Sequence, residues 1–161
     1  MSDNEKLHVK LGISGTYWKK VPEYNILFNG SIIKSGAITA PTDQVEYFEF
    51  DLESSLDQSV LGIELTNKED SDTILEKDDN DPNNYEIISD MTLNIVSIEI
   101  DECDLGILPY TLGVYTVNTA VDYKGDGVLV KDISSCTNLG WNGVWHLTWT
   151  NPFYLWLLES L

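Results

Sequence analysis

The sequence predicts an all-β chain, an antiparallel β-sandwich of jelly-roll type, formed as a single domain over residues 1–161. Three observations predict it. Apolar residues alternate in short runs with a period of two, turn residues interrupt those runs, and no segment carries a long, capped 3.6-residue repeat. A length of 161 residues with a hydrophobic fraction of 42% is enough for one sizeable core.

The elements follow in order. Leu7, Val9, Leu11 and Ile13 alternate with His8, Lys10 and Gly12, so the first strand has one apolar face. Runs at 24–28 and 31–34 flank Asn29-Gly30, two residues that tolerate positive φ and so mark a tight hairpin. Alternating runs at 45–52 and 60–65 supply two further strands. Leu93, Val96, Ile98 and Ile100 belong to another, with an irregular start. Fragments at 114–117 and 128–130 are strand-like, but nothing in 106–138 fixes their register. Residues 144–150 place Trp145, Leu147 and Trp149 on one side, with His146 and Thr148 on the other. Trp141, Trp145 and Trp149 also fall at helical spacing, yet Gly140, Gly143 and the β-branched neighbours favour a strand, and all three are expected in the core.

Two stretches break the alternation. Residues 67–90 carry nine acidic side chains. Unpaired buried carboxylates are costly, so this stretch is a solvated loop or an ion site. Residues 153–161, with Trp156, are almost uncharged. They complete the core as a final strand or helix, or form an exposed patch that docks on a partner.

Charge excludes several functions. Asp and Glu number 27 against nine Lys, Arg is absent, and the formal net charge is −18. Such a chain repels phosphate backbones and anionic bilayers, so neither nucleic acid nor membrane is an expected partner. No run approaches the roughly 20 apolar residues that span a bilayer. Residues 1–6 lack the pattern of a secretion signal. Cys103 and Cys136 show no metal-binding spacing and are expected as free thiols.

Within the acidic stretch, the run from Asp79 through Asp81 to Tyr85 sets oxygen-bearing side chains at alternate positions. Asp90 follows Asp79 by eleven residues, where a calcium loop of twelve places its closing carboxylate. Asn84 takes the sharp-turn position usually held by Gly.

Residues 61–67 (Leu-Gly-Ile-Glu-Leu-Thr-Asn), a variable loop, and the strand opened by Asp90 resemble the second half of the calcium-dependent xylan-binding carbohydrate-binding modules. The hairpin at 24–34 and the first strand are similar to that family's opening strands. The resemblance spans residues 6–101 and implies a sandwich that binds polysaccharide with calcium as cofactor. It carries over at Asn67 and Asp90. It departs at Lys68, where the family has a ligand Asp; a cation there repels calcium, which removes the ion or leaves it to Asp70 and Asp72. Modules of this type also resemble small sandwich domains on bacteriophage virions, and an Arg-free composition leans the same way.

The expected calcium ligands are therefore Asp70, Asp72, Asp79, Asp81 and Asp90. Flat rings stack on the apolar face of a sugar, and Tyr17 and Trp18 lie in a polar turn before Lys19 and Lys20, so these two with Asn67 are the expected ligand-binding residues. Catalysis is not expected. Nucleophile elbows, HExxH and phosphate-cradling glycine loops are missing, and His8 and His146 have no sequence partner that would make either a base. The expectation is a non-catalytic, calcium-assisted module for a polysaccharide or surface glycan, extracellular or on a virion. The alternative is an accessory virion protein that self-associates, or joins other virion proteins, through 153–161.

Overall fold

The computed structural model describes residues 4–81 and 84–161. Its strands run in chain order as β1 (Glu5–Thr16), β2 (Glu23–Phe28), β3 (Ser31–Ala37), β4 (Val45–Ser54), β5 (Gln58–Leu65), β6 (Ile74–Lys77), β7 (Tyr85–Ser89), β8 (Thr92–Ile100), β9 (Cys103–Asp104), β10 (Val114–Val121), β11 (Val130–Ser134), β12 (Asn138–Leu139) and β13 (Gly143–Thr150). Two short helices, α1 (Leu108–Leu112) and α2 (Phe153–Ser160), and a 3-10 turn at Asp70–Asp72 complete the elements.

Every strand pairing among the described residues is antiparallel, because alternation buries one face of each main strand and turns return the chain alongside itself. One sheet has the order β12-β8-β1-β4, with β9 paired to β8; the other runs β11-β10-β13-β5-β2-β3. Val9, Leu11, Ile13, Leu93, Ile98 and Ile100 from the first sheet meet Ile26, Leu61, Ile63, Leu65, Trp145 and Leu147 from the second in one buried core. The fold is the expected β-sandwich.

Asn29 and Gly30 both take positive φ, 49° and 84°, and close the β2–β3 hairpin as expected. On β8 the pairing with β1 slips between Gly12 and Ile13, and Val96 stands 53% exposed at that bulge while Ile95 points inward. The irregular start in the sequence was this bulge, and Val96 does not belong to the core set.

Two other expectations change. Within 67–90 the chain folds back as the two-stranded hairpin β6–β7, apart from both main sheets. Trp141 lies outside the core, 37% exposed, because it sits in the turn before β13 rather than on the strand. The segment 153–161, expected as a final strand or helix or as an exposed patch, forms the helix α2, which buries Phe153, packs Trp156 and Leu157 partly against the core, and leaves Tyr154, Leu155 and Leu158 outside. Both cysteines are free, Cys136 buried and Cys103 half-buried.

Candidate functional site

The acidic stretch leaves β5 at Asn67 and returns at Asp90, so its two ends meet at one rim of the sandwich. Asn67 is held at both ends of its amide. Its Oδ1 accepts from the Glu23 N–H at 2.8 Å and its Nδ2 donates to the Val21 carbonyl at 3.0 Å. Asn67 therefore clamps the segment entering β2.

The next residue turns inward. Lys68 Nζ donates to Asp90 Oδ1 and to the Met91 carbonyl, both at 2.5 Å. The same oxygen of Asp90 accepts from Thr73 Oγ1 at 2.7 Å and from the Met91 N–H at 2.8 Å. One ammonium thus joins the exit of β5 to the entry of β8.

Asp72, in the 3-10 turn, is 1% exposed. Its Oδ2 accepts from the Glu69 N–H at 2.7 Å and pairs with Lys20 Nζ at 3.0 Å; its Oδ1 lies 3.7 Å from Lys19 Nζ and has no hydrogen-bond donor. Burial pushes the Asp72 carboxyl up, but the Glu69 N–H and the two ammonium groups outweigh it and hold the group below the ordinary value. Trp18 joins the same turn by donating from Nε1 to the Asp72 carbonyl at 2.9 Å, and Tyr17 donates its hydroxyl to the Ala40 carbonyl at 2.9 Å. Both rings are tied into the fold, although Trp18 stays 46% exposed.

The remaining expected ligands lie elsewhere. Asp79 and Asp81 sit at the tip of the β6–β7 hairpin, where Asp78 accepts from the Asn80 N–H at 2.9 Å and the Asn84 N–H donates to the Asp81 carbonyl at 3.0 Å. Asp90 is at the hairpin's base, beyond the Ile74–Ser89 pair. Four residues of extended chain separate base from tip by about 13 Å, whereas calcium holds its ligands within roughly 2.6 Å. The twelve-residue span from Asp79 to Asp90 is therefore opened along the hairpin instead of closed around an ion. Pro82 and Asn83, also in that span, lie outside the described residues. Among the described residues, no group of three His, Cys, Asp or Glu is placed to hold a metal.

Beside Lys68 a groove of about 780 Å³ opens between the 68–75 segment and the turn before β13. Glu69, Asp70 and Thr73 line one side; Asn118, Trp141 and Asn142 line the other. The second wall is rigidly built. Asn142 Oδ1 accepts from the Lys68 N–H at 2.7 Å and its Nδ2 donates to the Lys68 carbonyl at 2.9 Å. The buried Tyr115 hydroxyl accepts from the Trp141 N–H at 2.9 Å and donates to the Trp141 carbonyl. Burial pushes that hydroxyl far above the ordinary tyrosine range, so it stays protonated and able to donate. Tyr123 meets the Trp141 ring edge-on, with centroids 6.1 Å apart. The result is a half-exposed indole on an anchored stretch of backbone, in edge contact with Tyr123, beside a groove of mixed polar and apolar lining, the form of a site that binds a flat, partly apolar ligand.

Sequence reasoning missed Trp141, Asn118 and Asn142. The available signal was the run Gly140-Trp141-Asn142-Gly143, a tryptophan between turn residues, as informative as the Tyr17-Trp18 turn.

No protein-family model matches the chain, and no curated protein matches it in sequence. Two solved structures of the carbohydrate-binding module vCBM60 resemble it in shape. The module in complex with galactobiose aligns with a TM-score of 0.51 at 11% identity, over 87% of this chain and 96% of the module. A selenomethionine form, described as evolutionary evidence linking two families of calcium-dependent carbohydrate-binding modules by circular permutation, aligns with a TM-score of 0.50 at 11% identity, over 88% of this chain and 89% of the module. At this identity the likeness shows a shared fold.

Proposed function

We propose that the chain is a non-catalytic carbohydrate-binding module whose ligand lies in the groove beside Trp141. The observation that carries this reading is Trp141, a half-exposed tryptophan whose backbone is anchored by Tyr115 and which lines a groove together with amide, hydroxyl and carboxylate side chains. An indole covers the apolar face of a pyranose, while Asn118, Thr119, Glu69 and Asp70 in the groove lining supply polar groups for its hydroxyls. The groove volume suits a short oligosaccharide stretch. Lys68 is spent on Asp90, leaving Glu69 and Asp70 as the groove's outer charges, so neutral sugars fit better than uronic acids. The galactobiose bound by the structurally similar module is consistent with a neutral ligand.

A glycan array followed by calorimetry on the best neutral oligosaccharide tests the reading. Trp141→Ala should weaken binding at least about tenfold, Tyr115→Phe should weaken it less, and Trp18→Ala should change it little. An array without binding, or a Trp141→Ala variant that binds as tightly as the parent, removes the reading.

A second reading draws on α2. Tyr154, Leu155 and Leu158 expose an apolar face, which would serve self-association or attachment to other proteins, as an accessory domain of a virion requires. Light scattering at rising concentration tests self-association, and a strict monomer counts against it.

A further inference from the structure

We propose that Lys68 and Lys20 are built-in cations that take the place of a bound metal at this rim, so that the rim and its groove form without calcium. The residues do not fit a calcium ion as they stand. Calcium takes six to eight oxygen ligands, yet Asp90 Oδ1 already accepts from Lys68 Nζ, Thr73 Oγ1 and the Met91 N–H. An ion seated there would have to displace an ammonium whose side chain is only 9% exposed, or lie against it with like charge. Asp72 Oδ2 is in the same position, with Lys20 at 3.0 Å and the Glu69 N–H at 2.7 Å, while its Oδ1, which has no hydrogen-bond donor, lies 3.7 Å from the Lys19 ammonium, whose like charge opposes a second cation there.

The work done by these ammonium groups is the work a metal would do. Lys68 connects the segment after β5 to the start of β8, and Lys20 connects the turn after β1 to the 3-10 turn. Each brings a positive charge to a carboxylate held away from bulk water, Asp72 fully buried and Asp90 with 23% of its side chain exposed, where an unpaired charge is costly. A cation attached covalently to the chain is present at unit occupancy and cannot be removed by chelation.

The test needs no sugar, so its outcome is separate from that of the carbohydrate reading. Thermal melting is followed in excess chelator and in millimolar calcium, both at one moderate ionic strength set with sodium chloride, for the parent and for Lys68→Met, Lys68→Met/Asp90→Asn and the exposed control Lys124→Met. Calcium titration of the parent by calorimetry accompanies it. The parent should melt at the same temperature in both media and give no binding heat. Lys68→Met should melt lower than the control by roughly 5 °C or more, because it strands Asp90. The double variant should regain a large part of that loss, since it removes the stranded charge. A parent that melts several degrees higher in calcium, or binds it with a defined stoichiometry, overturns the proposal. So does a Lys68→Met variant that melts with the control. Should Lys68→Met fail to fold, the parent's calcium response still decides.

Discussion

His8 lies on the outer face of β1 between two carboxylates of β4, its Nδ1 2.7 Å from Asp51 and its Nε2 3.1 Å from Glu49. These hydrogen bonds, Asp51 first and then Glu49, raise its pKa above 6.5. A raised histidine stabilises the fold most fully below the unfolded value and loses that contribution as pH climbs through the folded one. Melting temperature should therefore fall modestly from about pH 6 to about pH 8, and a His8→Gln variant should flatten that slope. An unchanged slope would show that the pair does not matter in solution. Asp72 has the opposite sign: its lowered carboxyl stabilises above the ordinary value and is lost only as pH falls through the folded one. Neither role was legible in the sequence. Asp51 and Glu49 meet His8 only through strand register, and Asp72 meets Lys20 only because two turns stack at one rim.

Strand β13 shows what an element demands of single residues. Gly143 opens it between β10 and β5, where an added Cβ would stand 2.4 Å from the Thr116 carbonyl oxygen and 2.7 Å from Val117 Cα. Both are backbone atoms and cannot rotate aside, so the ladder itself would have to part. Gly143→Ala should cost about 1–3 kcal/mol or more, read as a lower urea midpoint at unchanged slope; parent-like stability would mean that β10 yields freely. Strand positions were legible wherever one face is buried, as in β1 and β13, because burial writes a period of two into the sequence. The β6–β7 hairpin was not. Ile74, Leu75, Tyr85, Ile87 and Ile88 are all well exposed, so its two faces are not distinguished and no alternation records them. The bulge at Val96 interrupted the period on β8 for a local reason that only the partner strand reveals.

For the whole molecule, the sandwich was legible because it follows from the sum of its strands, while the groove was not, because its walls come from residues 68–75, 118–121 and 140–142. No spacing rule links such distant segments. The net charge of −18 acts on the molecule as one body. Self-repulsion opposes compaction, and salt screens it over roughly 10 Å at 0.1 M. Added sodium chloride should raise the melting temperature by several degrees from very low to moderate ionic strength, and a flat response would show that local ion pairs already absorb the excess. The reciprocal bonds between Asn142 and the backbone of Lys68 span 74 positions of chain. A link of that reach carries a large loop-closure entropy and forms only when most of the intervening strands are in place. Any ligand seated against that wall would meet only the finished topology, and its binding would shift the folding balance by mass action. Occupancy of the groove thus doubles as a certificate that the chain has closed upon itself.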